Sequence, residues 1–157
     1  MTDADVLSDL NAAFAACGRP EHFTDYRHCC ECPEHDDTLR ARDRESLRLE
    51  DVGNPGWDPL CFTSAEGLLY YLPALGRLAL EEPTRDLDWY AVQLHFHLTY
   101  SGSENRILRA ASPGQRLAVV RLLEHIVVTR AALCDTWSCR ADLLAAAELW
   151  QDSTVRT

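Results

Sequence analysis

Ser112-Pro113-Gly114-Gln115-Arg116-Leu117-Ala118-Val119-Val120-Arg121-Leu122-Leu123-Glu124-His125-Ile126-Val127-Val128-Thr129-Arg130-Ala131 is the stretch on which the fold turns. Ser112 and Gln115 stand at the spacing of a capping box, in which each side chain satisfies a backbone N–H of the other's residue. Pro113 falls at the first helical position, where a missing N–H costs nothing. Leu117, Val120, Leu123, Val127 and Ala131 then recur at helical spacing, and Val119, Leu122 and Ile126 broaden the stripe. A helix apolar over so much of its circumference is predicted to be a central core element.

The flanking sequence supplies the helices to pack around it. Upstream, Thr63-Ser-Ala-Glu66 has capping-box form and predicts a helix from about Ser64, with Leu68, Leu69, Leu72, Leu75, Leu78 and Ala79 on its apolar face. Pro73 lies inside that pattern and predicts a kink or two abutting helices, and Pro83 closes the segment. Behind Asp86 or Asp88 as a cap, Trp89, Val92, Leu94, Phe96 and Leu98 mark a further helix; the run also alternates like a strand, but no partner strand is evident. His95 and His97 point to opposite sides if the segment is helical. Downstream, Leu143, Leu144, Ala147 and Trp150 face inward on a last helix capped by Asp135 or Ser138, with Cys134 and Cys139 buried at the break.

At the other end, Val6, Leu7, Leu10, Ala13, Phe14 and Cys17 form a stripe that starts near Asp3 or Asp5 and stops at Gly18 and Pro20. Residues 33 to 45 predict a strongly charged helix, with Asp36 and Asp37 on its solvated face. Gly53-Asn-Pro-Gly-Trp57-Asp-Pro59 is a turn-rich tether whose Trp57 is expected to plug into the core. The sum is an all-α, single-domain irregular bundle of about five to seven helices spanning residues 1–157.

Length and composition agree with one globular domain: 157 residues, 46% hydrophobic and 25% charged. The formal net charge is -10 with no basic block, which argues against a nucleic-acid partner. All fifteen basic residues are Arg, so Schiff-base chemistry, a P-loop lysine and a lysine base supplied by this chain are excluded. No apolar run reaches membrane-spanning length and no signal peptide is visible, so the expectation is a cytoplasmic protein with reduced thiols and no membrane partner. Dinucleotide, Walker, nucleophile-elbow and zincin motifs are all missing.

One segment does carry chemistry. In His28-Cys29-Cys30-Glu31-Cys32-Pro33-Glu34-His35-Asp36-Asp37, three of the seven cysteines and two of the six histidines fall within eight residues. Cys29 and Cys32 have the C-x2-C spacing of zinc sites, with His35 three residues on. Pro33 marks a helix start, which puts Cys32 at the N-cap and His35 in the first turn, where the helix dipole favours thiolate. His28 is the further candidate, although neighbouring residues seldom both face one ion. His22, Cys61, His95 or His97 are remote alternatives for a fourth ligand. Zinc is the metal expected, while three close thiols also suit copper(I).

Two other readings stay open beside the metal. Cys29 or Cys32 could serve a thiol oxidoreductase, with His35 orienting or deprotonating a thiol. Alternatively, the chain is an acidic immunity or regulatory protein whose negative surface binds a basic protein partner, and its cysteines are plain buried residues.

The His-Cys-x-Glu-Cys-x-Glu-His-Asp run at 28 to 36, Gly-Asn-Pro-Gly-Trp-Asp-Pro-Leu-Cys-Phe-Thr at 53 to 63 and Tyr-Tyr-Leu-Pro-Ala-Leu at 70 to 75 together resemble a bacterial family of small domains of unknown function. The resemblance covers most of the chain. It implies a bacterial origin, in keeping with the Arg-only, Ala-rich and Ile-poor composition, and carries over no functional residue.

Overall fold

The Ser112 hydroxyl accepts from the Gln115 amide at 3.3 Å and the Gln115 side chain accepts from the Ser112 amide at 2.8 Å, so the expected capping box opens the longest helix. In the computed structural model, which describes residues 1–152, the order is α1 (Asp3–Ala13), α2 (Cys32–Arg40), α3 (Leu49–Val52), α4 (Ala65–Leu80), α5 (Tyr90–Thr99), α6 (Arg106–Ala110), α7 (Pro113–Thr129), α8 (Ala131–Thr136) and α9 (Arg140–Gln151). Short 3₁₀ turns lie at Pro55–Trp57, Pro59–Phe62 and Gly102–Glu104. The fold is all-α. Among the described residues the only β pairing is an isolated antiparallel bridge between Thr24 and Thr63.

Helix α7 packs most extensively on α9 and then on α1, with Val119, Leu122, Leu123 and Ile126 fully buried. Leu117, expected on its inner stripe, is exposed instead. The most deeply enclosed helix is α4, where twelve of sixteen residues are buried. It runs unbroken through Pro73, so the two abutting helices foreseen from that proline do not form. An interior proline costs about 3 kcal/mol in lost bonding and sterics. Burial of Leu72, Leu75, Leu78 and the residues around them offsets that cost on the scale of about 1.5–3 kcal/mol per large apolar side chain.

Some helix ends are held by local caps and others by partners far away in sequence. Helix α1 is capped by Thr2 with Asp5 and ends at Ala13, short of Gly18. Beyond it the Phe14 and Cys17 carbonyls accept from the Arg44 guanidinium at 2.9 and 2.8 Å, and the same side chain donates to the Tyr70 carbonyl of α4 at 2.6 Å. Helix α2 stops at Arg40 rather than continuing to residue 45. Two indoles lock later elements: Trp89 donates to the Ala79 carbonyl at 3.1 Å and Trp150 to that of Leu98 at 2.8 Å. No helix among the described residues is long and apolar enough to cross a membrane.

Helices α1, α4 and α7 meet at Gly76. A Cβ there would stand 2.5 Å from Leu10 Cδ2 and 3.0 Å from Leu122 Cδ2. Gly76→Val should therefore lose about 1–3 kcal/mol in denaturant unfolding through overpacking. Gly18→Ala, where nothing lies within 4 Å, should stay within about 0.5 kcal/mol of the parent.

Candidate functional site

The thiol cluster sits on an arm, residues 20–31, that has no helix of its own and is held by one buried carboxylate. Asp36 of α2 is only 2% exposed. Its Oδ1 accepts from the Phe23 and Thr24 amides at 2.7 and 3.0 Å, and Oδ2 lies 2.6 Å from His22 Nδ1. Burial pushes its pKa up, but the His22 contact and the two amides outweigh that and hold it below the usual carboxylate value. Asp36 is therefore not on a solvated face. It is the clasp of the arm, reinforced by Thr24 Oγ1 donating to the Cys32 carbonyl at 2.9 Å and by Ser64 N donating to Phe23 O at 2.7 Å.

The clasp delivers Cys29 and Cys32 to the start of α2. Their sulfurs are 2.8 Å apart, the Cys32 amide donates to Cys29 Sγ at 3.3 Å, and His28 Nδ1 lies 3.9 Å from Cys32 Sγ. Ligand atoms of His28, Cys29 and Cys32 all fall within 4.8 Å of one another, a spacing able to hold a metal ion. The two thiols differ. Hydrogen bonding from Cys32, then contact with His28 and the Cys32 amide, draws the half-buried Cys29 thiol down to about 7. Cys32 is buried and pushed upward, first by its bond to Cys29 and then by desolvation. Cys30 is exposed and outside the group.

Three placements differ from those expected. Helix α2 begins at Cys32 itself, with Glu31 at the N-cap and Pro33 one position further in. His35 does not join the thiols. It is 1% exposed, with its ring stacked 4.6 Å from Phe62 and tilted 4.5 Å from Trp57, and neither ring nitrogen has a hydrogen-bond partner. The packing of α2 on the Pro59–Phe62 turn draws His35 away, and His28 takes its place beside the sulfurs. Trp57, 42% exposed, covers His35 instead of entering the core.

The remote candidates are engaged elsewhere. His22 serves Asp36, and His97 Nε2 is 2.7 Å from Asp58 Oδ2. His95 is half-buried on another side of α5, its pKa lowered by desolvation. Cys61 groups with Asp58 and His97, the second set within 4.8 Å among the described residues. Burial, then the Asp58 charge, raises the Cys61 thiol. Neither Asp–His pair could be found by local periodicity, since the partners are 14 and 39 residues apart. Compared with protein-family models, curated proteins and solved structures, the chain has no match.

Asp36→Asn should lower stability by about 2–4 kcal/mol at pH 7, because it unbalances a buried, hydrogen-bonded charge. The depressed carboxylate contributes fully above its unfolded pKa of about 3.9 and is lost as pH falls below it. The gap between variant and parent in urea titrations should accordingly close in acid. His35→Phe, which keeps the stack and removes two unpartnered nitrogens, should raise stability by about 1 kcal/mol in the same assay.

Proposed function

We propose that the protein is a zinc-binding helical domain whose ion is held by His28, Cys29 and Cys32 and clamps the arm onto α2 in a structural or regulatory role. The observation that carries this reading is the convergence of one imidazole and two thiols at the start of a helix, with one thiol already drawn to about 7. Thiolate and imidazole are zinc's preferred donors. Zinc–sulfur bonds of about 2.3 Å in a tetrahedron set the sulfurs roughly 3.7 Å apart. The pair at 2.8 Å needs to spread by about 1 Å, which rotation of the half-buried Cys29 can supply. Three protein donors leave one position for water or another ligand. Proton release follows from the chemistry: at neutral pH Cys32 gives up its proton fully and Cys29 in part.

The same asymmetry favours a second reading, a dithiol oxidoreductase. An accessible low-pKa thiol beside a buried high-pKa partner is the arrangement in which one sulfur attacks a disulfide and the other resolves the mixed disulfide. Oxidation of the pair would then balance reduction of the substrate disulfide, with two electrons and two protons passing to it.

Metal analysis of reduced protein purified without added zinc separates the two. The zinc reading expects one equivalent of zinc lost in Cys29→Ser/Cys32→Ser, together with a melting temperature that falls when a chelator is added. Metal-free protein in which Cys29 is alkylated with an apparent pKa near 7 and exchanges with small disulfides would transfer the assignment to the dithiol.

A further inference from the structure

Asp58, Cys61 and His97 take no part in the site at residues 28–32, yet they form the second cluster of metal-ligating groups. Asp58 precedes the Pro59–Phe62 turn as its N-cap, and Cys61 lies three residues on. Asp58 itself lies just outside the turn in extended backbone, and its carboxylate and the Cys61 thiol fall within 4.8 Å of one another. His97 reaches them from α5. Asp58 accepts from Leu60 N at 2.9 Å and from Gln93 Nε2 at 2.6 Å as well as meeting His97. Those bonds account for a structural pin between the turn and α5, but three features exceed what a pin requires.

The first is Cys61, whose thiol completes a mixed oxygen, sulfur and nitrogen set within 4.8 Å. The second is access. Cys61 and Phe96 are common to the walls of two cavities of about 330 and 370 Å³; His97 lines one and Asp58 the other. The third is Tyr90, on the same helix as Gln93 and His97, at positions i, i+3 and i+7 of one face. Its hydroxyl is buried and has no hydrogen-bond partner, an unmet bonding capacity on the helix face that carries His97.

We propose that Asp58, Cys61 and His97 form a second, open site for a divalent transition metal of zinc's class. The thiol selects such ions over magnesium and calcium, which require oxygen donors. On binding, the ion takes the place of the proton between Asp58 and His97, which moves to the other imidazole nitrogen, and Cys61 releases its thiol proton to solvent. Three protein donors leave a coordination position toward the cavities, the pattern of catalytic rather than structural zinc. Arg106, on the cavity wall and bonded to the Leu60 carbonyl at 3.1 Å, adds a positive charge suited to an anionic group on whatever reaches the ion.

Titration of reduced protein with Co²⁺, read by thiolate-to-cobalt charge-transfer absorption, tests the assignment. The parent should take up two equivalents. Cys29→Ser/Cys32→Ser should keep one, Cys61→Ser should keep the other, and the triple variant should show no such absorption. Because Cys61 is exposed, Cys61→Ser should preserve the helical circular dichroism of the parent. As a second readout, zinc added to Cys29→Ser/Cys32→Ser should slow alkylation of Cys61 at least tenfold by peptide mass spectrometry, and His97→Asn should remove that protection. A single cobalt equivalent abolished by Cys29→Ser/Cys32→Ser, or Cys61 alkylation indifferent to zinc in that variant, overturns this site while leaving the one at residues 28–32 intact. A single equivalent abolished by Cys61→Ser alone sustains it and removes the other.

Discussion

A single carboxylate, Asp36, sets the conditions for the site at residues 28–32. An arm with no helix and a single isolated bridge can present side chains in one geometry only if its backbone polar groups have fixed partners. Asp36 supplies them to Phe23 and Thr24, and His22 completes its hydrogen bonding. With that anchor in place, Phe23 packs on Tyr70 and Tyr71, and the arm is fastened to the most deeply buried helix. Tyr71 in turn donates to the carbonyls of Leu39 and Arg42 at 2.6 and 2.8 Å, so the end of α2 and the arm share one support. The thiols owe their mutual distance to this frame as much as to their spacing in the chain.

The elements whose apolar stripe was complete within their own sequence were legible. The capping box of α7, the start of α4 at Ser64 and the inward face of α1 follow from local pattern, whereas on α9 Leu143, Ala147 and Trp150 face inward but Leu144 is exposed and Cys139, not Asp135 or Ser138, stands at the N-cap. What was not legible was every feature decided by a distant partner. Pro73 reads as a break, but the surroundings of α4 make continuity cheaper than interruption. Asp36 reads as one acid among many on a charged helix, because nothing near it in sequence announces the amides of residues 23 and 24. The composition of the site was visible in the cysteine spacing, whereas the choice between His28 and His35 was not. That choice depends on which face of α2 meets the Pro59–Phe62 turn, a contact made across some 25 residues of chain.

His35 shows how such packing can override chemistry. An imidazole with both nitrogens unpaired gives up hydrogen bonds worth about 1–3 kcal/mol, and the ring stacks against Phe62 and Trp57 recover part of that at about 0.5–1.5 kcal/mol each. The balance is close, which is why residue type alone misleads there. Trp57 is best understood as a cover over this ring, since an indole spent on the core would not leave two-fifths of its surface in water.

Which imidazoles can bind a metal follows from how the chain treats its buried charge. It has no lysine, and three of its aspartates meet a histidine instead: Asp36 with His22, Asp58 with His97, and Asp3 with His125. A carboxylate bonded to one ring nitrogen fixes the tautomer and orients the ring. Among the described residues His22 and His125 belong to neither ligand cluster. His97 differs in having Cys61 alongside, and His28 differs in having two thiols and no carboxylate contact. The first geometry joins a hard and a soft donor around an accessible position, and the second gathers soft donors on an arm whose other tethers act through residues 22–24. Where sulfur accompanies the imidazole, the donor atoms lie close enough together to hold an ion, whereas elsewhere the same pairing braces the fold. The cysteines therefore mark which histidines stand in a ligand cluster.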